Sequence, residues 1–140
     1  MTHEEKAESL FMSGLNCAQA VFGAFAEDFA INDELAAKIS SGLGGGVGRL
    51  REVCGAVTGA TLALGLKFGP NKAVVYPKVQ AFAAAFKAET GSLVCRDLLA
   101  GTAATTGGAP EARTPAYYAK RPCVELVKLA VRKVEEVMAE

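Results

Sequence analysis

Four cysteines, Cys17, Cys54, Cys95 and Cys123, are the residues of this chain best suited to chemistry. No two form a CxxC pair, so neither a thioredoxin-type motif nor a paired zinc-knuckle spacing is present. Each instead lies at or near a helix-start signal. Cys17 follows Asn16, Cys54 heads an apolar run, Cys95 comes shortly after Ser92, and Cys123 follows Pro122. The first turn of a helix has unsatisfied N–H groups and the positive end of the helix dipole, which stabilise a thiolate and lower a thiol pKa. Basic residues add to this at three positions: Arg49 and Arg51 before Cys54, Arg96 beside Cys95, and Lys120 and Arg121 before Cys123. Cys17 has no such neighbour and is expected to be the slowest thiol to alkylate. Two chemistries suit this pattern. One is a dithiol–disulfide relay, as in a thiol-dependent oxidoreductase. The other is an iron–sulfur cluster, or zinc, held by Cys17, Cys54, Cys95 and Cys123. The missing CxxC pairs favour the first.

The elements that must position these thiols read as helices throughout, because period-2 alternation of β-branched and aromatic residues is absent. Residues 2–13 form a polar amphipathic helix ended by Ser13-Gly14. Asn16 caps a second helix from Cys17 to about Asp28, and Asp33 caps a short third one ending near Ser41. The loop "SGLGGGVG", residues 41–48, leads into the helix that begins around Cys54. Gly69-Pro70-Asn71 separates it from a helix over 72–89, where Val79, Phe82, Ala83 and Phe86 repeat as a buried face. Pro77 predicts a kink there or a start nearer residue 76. Thr90-Gly91-Ser92 reads as a turn and N-cap for a short helix containing Cys95. Residues 101–121 form the longest irregular segment, and a last helix runs from Pro122 to about Ala139. The expectation is a compact all-α bundle of about six helices, forming one domain over residues 1–140.

Composition narrows the function classes. Fifteen basic residues balance fifteen acidic ones, which argues against nucleic-acid binding and leaves no polybasic membrane patch. The apolar run Val53–Leu66 is shorter than the roughly 20 residues needed to span a bilayer. The opening "MTHEEKAESL" has the wrong chemistry for a secretory signal, so a cytoplasmic, reducing setting is expected, where structural disulfides are uncommon. His3 is the only histidine and lies near a polar terminus, so Cys–His catalysis lacks a base.

Glycine punctuates the helix after Cys54. Gly55, Ala56, Gly59 and Ala60 put small residues on adjoining turns of one face, which would let a second cysteine-bearing helix come close. Gly65 lies further along. The segments "NCAQAV" at 16–21, "CGAVTG" at 54–59, "GSLVCRDLL" at 91–99 and "CVELV" at 123–127 together resemble the C_GCAxxG_C_C family of redox-active proteins, defined by four cysteines and a CGAxxG motif. Cys54, Gly55, Ala56 and Gly59 match that motif in full. The resemblance implies redox activity through the four cysteines and brings no established substrate with it. The cysteine arrangement is also similar to part of certain multihaem cytochromes, where an iron–sulfur role suits such cysteines. Covalent c-type haem is excluded because no CxxCH is present.

The remaining candidates are weaker. The glycine loop with Arg49 could form an N–H nest for a phosphate, making the protein a small-ligand or anion-binding module, although a tight turn delivering Cys54 is the plainer use. Glu27, Asp28, Asp33 and Glu34 read as a solvated helix junction. Tyr117 and Tyr118, beside "AKRPC", read as a lid over Cys123 or as packing anchors. The expected partner is a redox protein or a small thiol or oxidant.

Overall fold

The computed structural model describes residues 1–140 and contains helices and no strands. In chain order the helices are α1 (His3–Met12), α2 (Cys17–Ala26), α3 (Asp33–Ser40), α4 (Gly55–Phe68), α5 (Lys72–Thr90), α6 (Cys95–Leu98), α7 (Pro115–Lys120) and α8 (Cys123–Ala139). The fold is all-α, with the six longer helices and the short α6 as expected, and α7 in addition. α2 packs against α1, α3, α4 and α8, and α5 covers α4 and α8.

Local chemistry explains where most helices begin. At α2, Asn16 Oδ1 accepts from Gln19 N–H at 2.8 Å while Gln19 Oε1 accepts from Asn16 N–H at 2.9 Å. This reciprocal capping box satisfies two otherwise open donors. α8 buries Leu126, Ala130, Val134 and Val137 along one stripe and leaves Glu135 and Glu136 outside.

Several boundaries differ from the expectations. Asn32, not Asp33, caps α3, its side chain accepting from Leu35 N–H at 2.8 Å. α5 starts at Lys72 under the Asn71 cap and carries Pro77 within it, so the later start is corrected. Proline removes the donor to the Ala73 carbonyl, but Ala73 is exposed and water can serve that group. Ser92 does not cap α6: Val94 holds the N-cap position, and the Ser92 hydroxyl donates to Asp97 at 2.7 Å. The 101–121 segment is not wholly irregular, since Thr114 and Pro115 start α7.

His3 is not solvated as its position suggested. It stacks on Phe25 with ring centroids 4.4 Å apart and bridges Asp28 at 2.6 Å and Glu135 at 3.1 Å, tying α1 to α8. Burial opposes its charge, but the bonds to Asp28 and Glu135 outweigh burial and raise its pKa. A raised histidine pKa contributes stability that is full below the unfolded-state value of about 6.5 and lost as pH rises through the folded value. Thermal melts across neutral pH are therefore expected to fall with rising pH, and His3→Gln should flatten that slope. An unchanged slope in the variant would show that other groups set it. The acidic junction is likewise engaged, with Lys6 Nζ 2.8 Å from Glu27 and 3.0 Å from Asp33.

Candidate functional site

Every cysteine sits at the start of a helix. Cys17, Cys95 and Cys123 are the first residues of α2, α6 and α8, and Cys54 is the N-cap of α4. All four line one inner cavity of about 50 Å³. That is about a third of the ~150 Å³ apolar cavity known to accept a benzene ring. All four are free thiols.

Two backbone devices bring them together. First, α4 crosses the start of α2 at very short range. A Cβ on Gly59 would stand 2.7 Å from the Ala18 oxygen, and one on Gly55 would stand 3.1 Å from the Ala18 nitrogen and 3.2 Å from Cys17 Cβ. The helix that approaches Cys54 is thus the one bearing Cys17. Second, an isolated antiparallel bridge joins Val53 to Val94. Around it Cys54 N–H donates to the Leu93 oxygen at 2.8 Å and Cys95 N–H to the Glu52 oxygen at 2.6 Å, which ties Cys54 to Cys95.

The glycine loop serves as the turn between α3 and Cys54. A Cβ on Gly46 would meet Glu52 N at 2.6 Å and Cys95 Cβ at 2.7 Å, so no other residue fits against Cys95 there. Val47, Arg49 and Arg51 also take left-handed backbone, at φ 64°, 66° and 60°. For non-glycine residues that conformation costs roughly 1–2 kcal/mol each, so side-chain contacts must hold it. Arg49 supplies them by donating from Nε to the Gly107 oxygen at 2.8 Å and from Nη1 to Glu111 at 2.8 Å. Arg51 donates from Nε to the Thr105 oxygen at 2.9 Å.

Proximity in sequence did not identify which base serves which thiol. Arg51 is buried and places Nη1 3.6 Å from Cys95 Sγ instead of serving Cys54. Arg96 is exposed and borders a separate surface hollow, so it does not line the cysteine cavity. Lys120 is exposed as well. Arg121 does face Cys123, and Arg113, from the segment read as irregular, faces both Cys17 and Cys123.

The thiols differ sharply as a result. The expectation that every helix terminus lowers its cysteine fails at two positions. Burial pushes Cys54 up to about 12, against bonds from the Ala56 and Val57 N–H groups at its own helix start. Cys17 is pushed well up by its hydrogen-bonding contact with Cys123 and by burial. Cys123 moves the other way: the same contact with Cys17 draws it down, burial opposes, and Arg121, Arg113 and Arg51 assist. The two thiols therefore titrate as a coupled pair, with Cys17 held up and Cys123 drawn down. Brief iodoacetamide treatment at neutral pH is expected to label Cys123 ahead of Cys17 and Cys54, read by mass-spectrometric mapping. Cys17 labelling first would mean that its greater exposure outweighs the charge distribution.

Glu111 and Arg113 were missed by sequence reasoning. Glu111 accepts from Arg49, from Arg121 at 2.5 and 2.6 Å, and from Arg51 at 3.5 Å. Its pKa is lowered first by Arg49, with burial opposing and Arg121 adding. The Arg113 guanidinium lies 4.4 Å from the Phe11 ring centroid and 5.0 Å from that of Tyr117, and donates to the Phe11 and Leu15 oxygens at 2.9 and 2.6 Å. Only the Thr114-Pro115 helix start was a local signal that this segment is ordered. Tyr117 lines the cavity, and burial raises its pKa to about 12. Tyr118 packs on Phe11 as an anchor.

A single zinc ion does not fit this arrangement. No three Cys, His, Asp or Glu side chains are placed to hold one metal ion in common. Three guanidiniums, those of Arg51, Arg113 and Arg121, also border the cavity and oppose a lone incoming cation.

An all-α bundle with four cysteines at converging helix N-termini defines the class. The chain belongs to the family described as "Putative redox-active protein (C_GCAxxG_C_C)", whose model matches residues 15–137. No curated protein matches it, nor does any solved structure. No helix is long and apolar enough to cross a membrane.

Proposed function

We propose that this protein carries out dithiol–disulfide exchange, with Cys123 as the attacking thiolate and Cys17 as the resolving thiol. The observation that carries this reading is that Cys17 and Cys123, the first residues of α2 and α8, line one cavity beside Arg113 and Arg121, where their contact draws Cys123 down and raises Cys17. The Cys123 thiolate attacks one sulfur of an oxidised disulfide RSSR, and RS⁻ leaves. Cys17 gives its proton to that thiolate and attacks Cys123 Sγ in the mixed disulfide, releasing the second RS⁻. A Cys17–Cys123 disulfide forms, two electrons pass to RSSR, and the second RS⁻ takes up a proton from solvent, where Cys123 left its own on ionising. Cys54, pushed up to about 12, stays a thiol at neutral pH and does not compete as the attacking group.

The test uses an uncharged disulfide, 2-hydroxyethyl disulfide, with peptide mapping of the oxidised protein. Wild type is expected to yield a Cys17–Cys123 crosslink, and Cys17→Ser to stop at a mixed disulfide on Cys123. A Cys54–Cys95 crosslink with Cys17 and Cys123 still reduced would overturn the assignment. So would visible iron–sulfur absorption in protein purified without oxygen.

A further inference from the structure

We propose that the polar cleft outside the cysteine cavity is a binding site for the carboxylates of a small anionic disulfide, the oxidant that Cys123 and Cys17 reduce. The proposal rests on the exchange reading above. The cleft has a volume of about 500 Å³, within the ~300–1,000 Å³ of small-molecule sites. It adjoins the inner cavity, since Arg51, Arg113, Tyr117 and Arg121 line both spaces.

Charge identifies the ligand. Arg49, Arg51, Arg113 and Arg121 border the cleft, against the single carboxylate of Glu111. The side chains of Arg49, Arg51 and Arg121 are only 13%, 5% and 8% exposed. Arg113 has no carboxylate partner, since its hydrogen bonds go to main-chain oxygens and the Tyr118 hydroxyl. Cationic groups withdrawn from water without counter-charge are costly, so an incoming anion gains what the protein leaves unsatisfied. A carboxylate matches guanidinium geometry, and Glu111, with both oxygens on Arg121 Nη2, leaves the other Arg121 nitrogens open to a second one. Arg121 Nε and Nη1 have no partner in the chain and are not sealed from solvent.

Size fixes the orientation. The inner cavity of about 50 Å³ admits little more than a sulfur pair, so the charged ends remain among the arginines outside. Tyr117 is the one large hydrophobic side chain of the cleft lining, beside glycines, Pro110 and polar or charged residues, so little holds a bulky apolar ligand.

The test compares three disulfides on the reduced wild-type chain: dithiodipropionate (a dianion), 2-hydroxyethyl disulfide (neutral) and cystamine (a dication). Each rate of Cys17–Cys123 oxidation is divided by that reagent's rate with free cysteine. The dianion is expected to exceed the neutral reagent by about tenfold, with the advantage shrinking as salt is raised, and cystamine should be slowest. Arg113→Met is expected to lower the ratio of anionic to neutral rates, a ratio that cancels any effect on Cys123 itself. Should that variant not fold, titration calorimetry of wild type with thiodipropionate, an unreactive thioether dianion, tests the site directly, and binding that weakens with salt is expected. Equal normalised rates, with the crosslink formed, would overturn the anion site and leave the exchange reading standing. Thiodipropionate binding without oxidation by any reagent would overturn the exchange reading, and the substrate assignment with it.

Discussion

Gly59→Leu is expected to lower the melting temperature by roughly 10 °C and to cut the yield of the Cys17–Cys123 crosslink. Even the first carbon of a side chain there would stand 2.7 Å from the Ala18 oxygen and 3.0 Å from Ala18 Cα. These are backbone atoms, so no rotamer change relieves the contact and the start of α2 must move away from α4. Overpacking of this kind costs about 1–3 kcal/mol per insertion, more for leucine, while removing an interior helical glycine returns only ~1 kcal/mol. Because Cys17 is the residue before Ala18, the displacement carries its thiol away from Cys123. Gly65 supplies the contrast. Nothing lies within 4 Å of a Cβ built there, so Gly65→Ala should stabilise the protein by up to ~1 kcal/mol. Melts followed by circular dichroism, with crosslink mapping, check both variants. Wild-type stability in Gly59→Leu would show that α2 does not depend on this close approach.

Glu111→Ala is expected to cost about 2–3 kcal/mol, somewhat below the ~3–5 kcal/mol of breaking a fully buried pair, because Glu111 is 31% exposed. Its removal leaves the Arg49, Arg51 and Arg121 guanidiniums without their shared carboxylate. It also weakens the hold on Arg49 and Arg51, whose left-handed backbone needs those contacts. The thiol response should run opposite to the stability response. With the one compensating negative charge gone, the guanidiniums draw Cys123 down further, so Cys123 should alkylate faster at neutral pH in folded Glu111→Ala than in wild type. Acid should reproduce the stability loss in wild type. A carboxylate with a lowered folded pKa contributes stability that is present above its unfolded value and lost as pH falls through the folded value. Urea melts at neutral and acidic pH, with timed alkylation, decide this. Slower labelling of Cys123 in the variant would mean that Glu111 acts by positioning Arg121, not by neutralising it.

Much of the fold was legible because capping and periodicity act over a few residues. Asn16 with Gln19, the Pro122-Cys123 step and the apolar stripe of α8 each specify a helix from adjacent positions alone. Pro77 misled the reading of α5, since a proline near an exposed helix start leaves only a carbonyl that water can serve. The short helix α7 went unseen because three glycines and two prolines in the 101–121 stretch mask its six residues of helix signal.

By itself, the sequence determined that the chain is helical, that its four cysteines begin helices, and that small residues after Cys54 leave room for another helix, which the structure shows to be α2. Only the tertiary structure decided which thiol meets which, and in what charge state. Cys17 faces Cys123 although the whole chain between α2 and α8 separates them, Arg51 serves Cys95, and Glu111 and Arg113 come from a segment without a motif. The reason is physical. Hydrogen bonds at helix starts are local, whereas burial and Coulomb interactions depend on what the folded chain brings within a few ångströms. Burial therefore pushed Cys54 up at the same kind of helix start where neighbouring guanidiniums helped to draw Cys123 down.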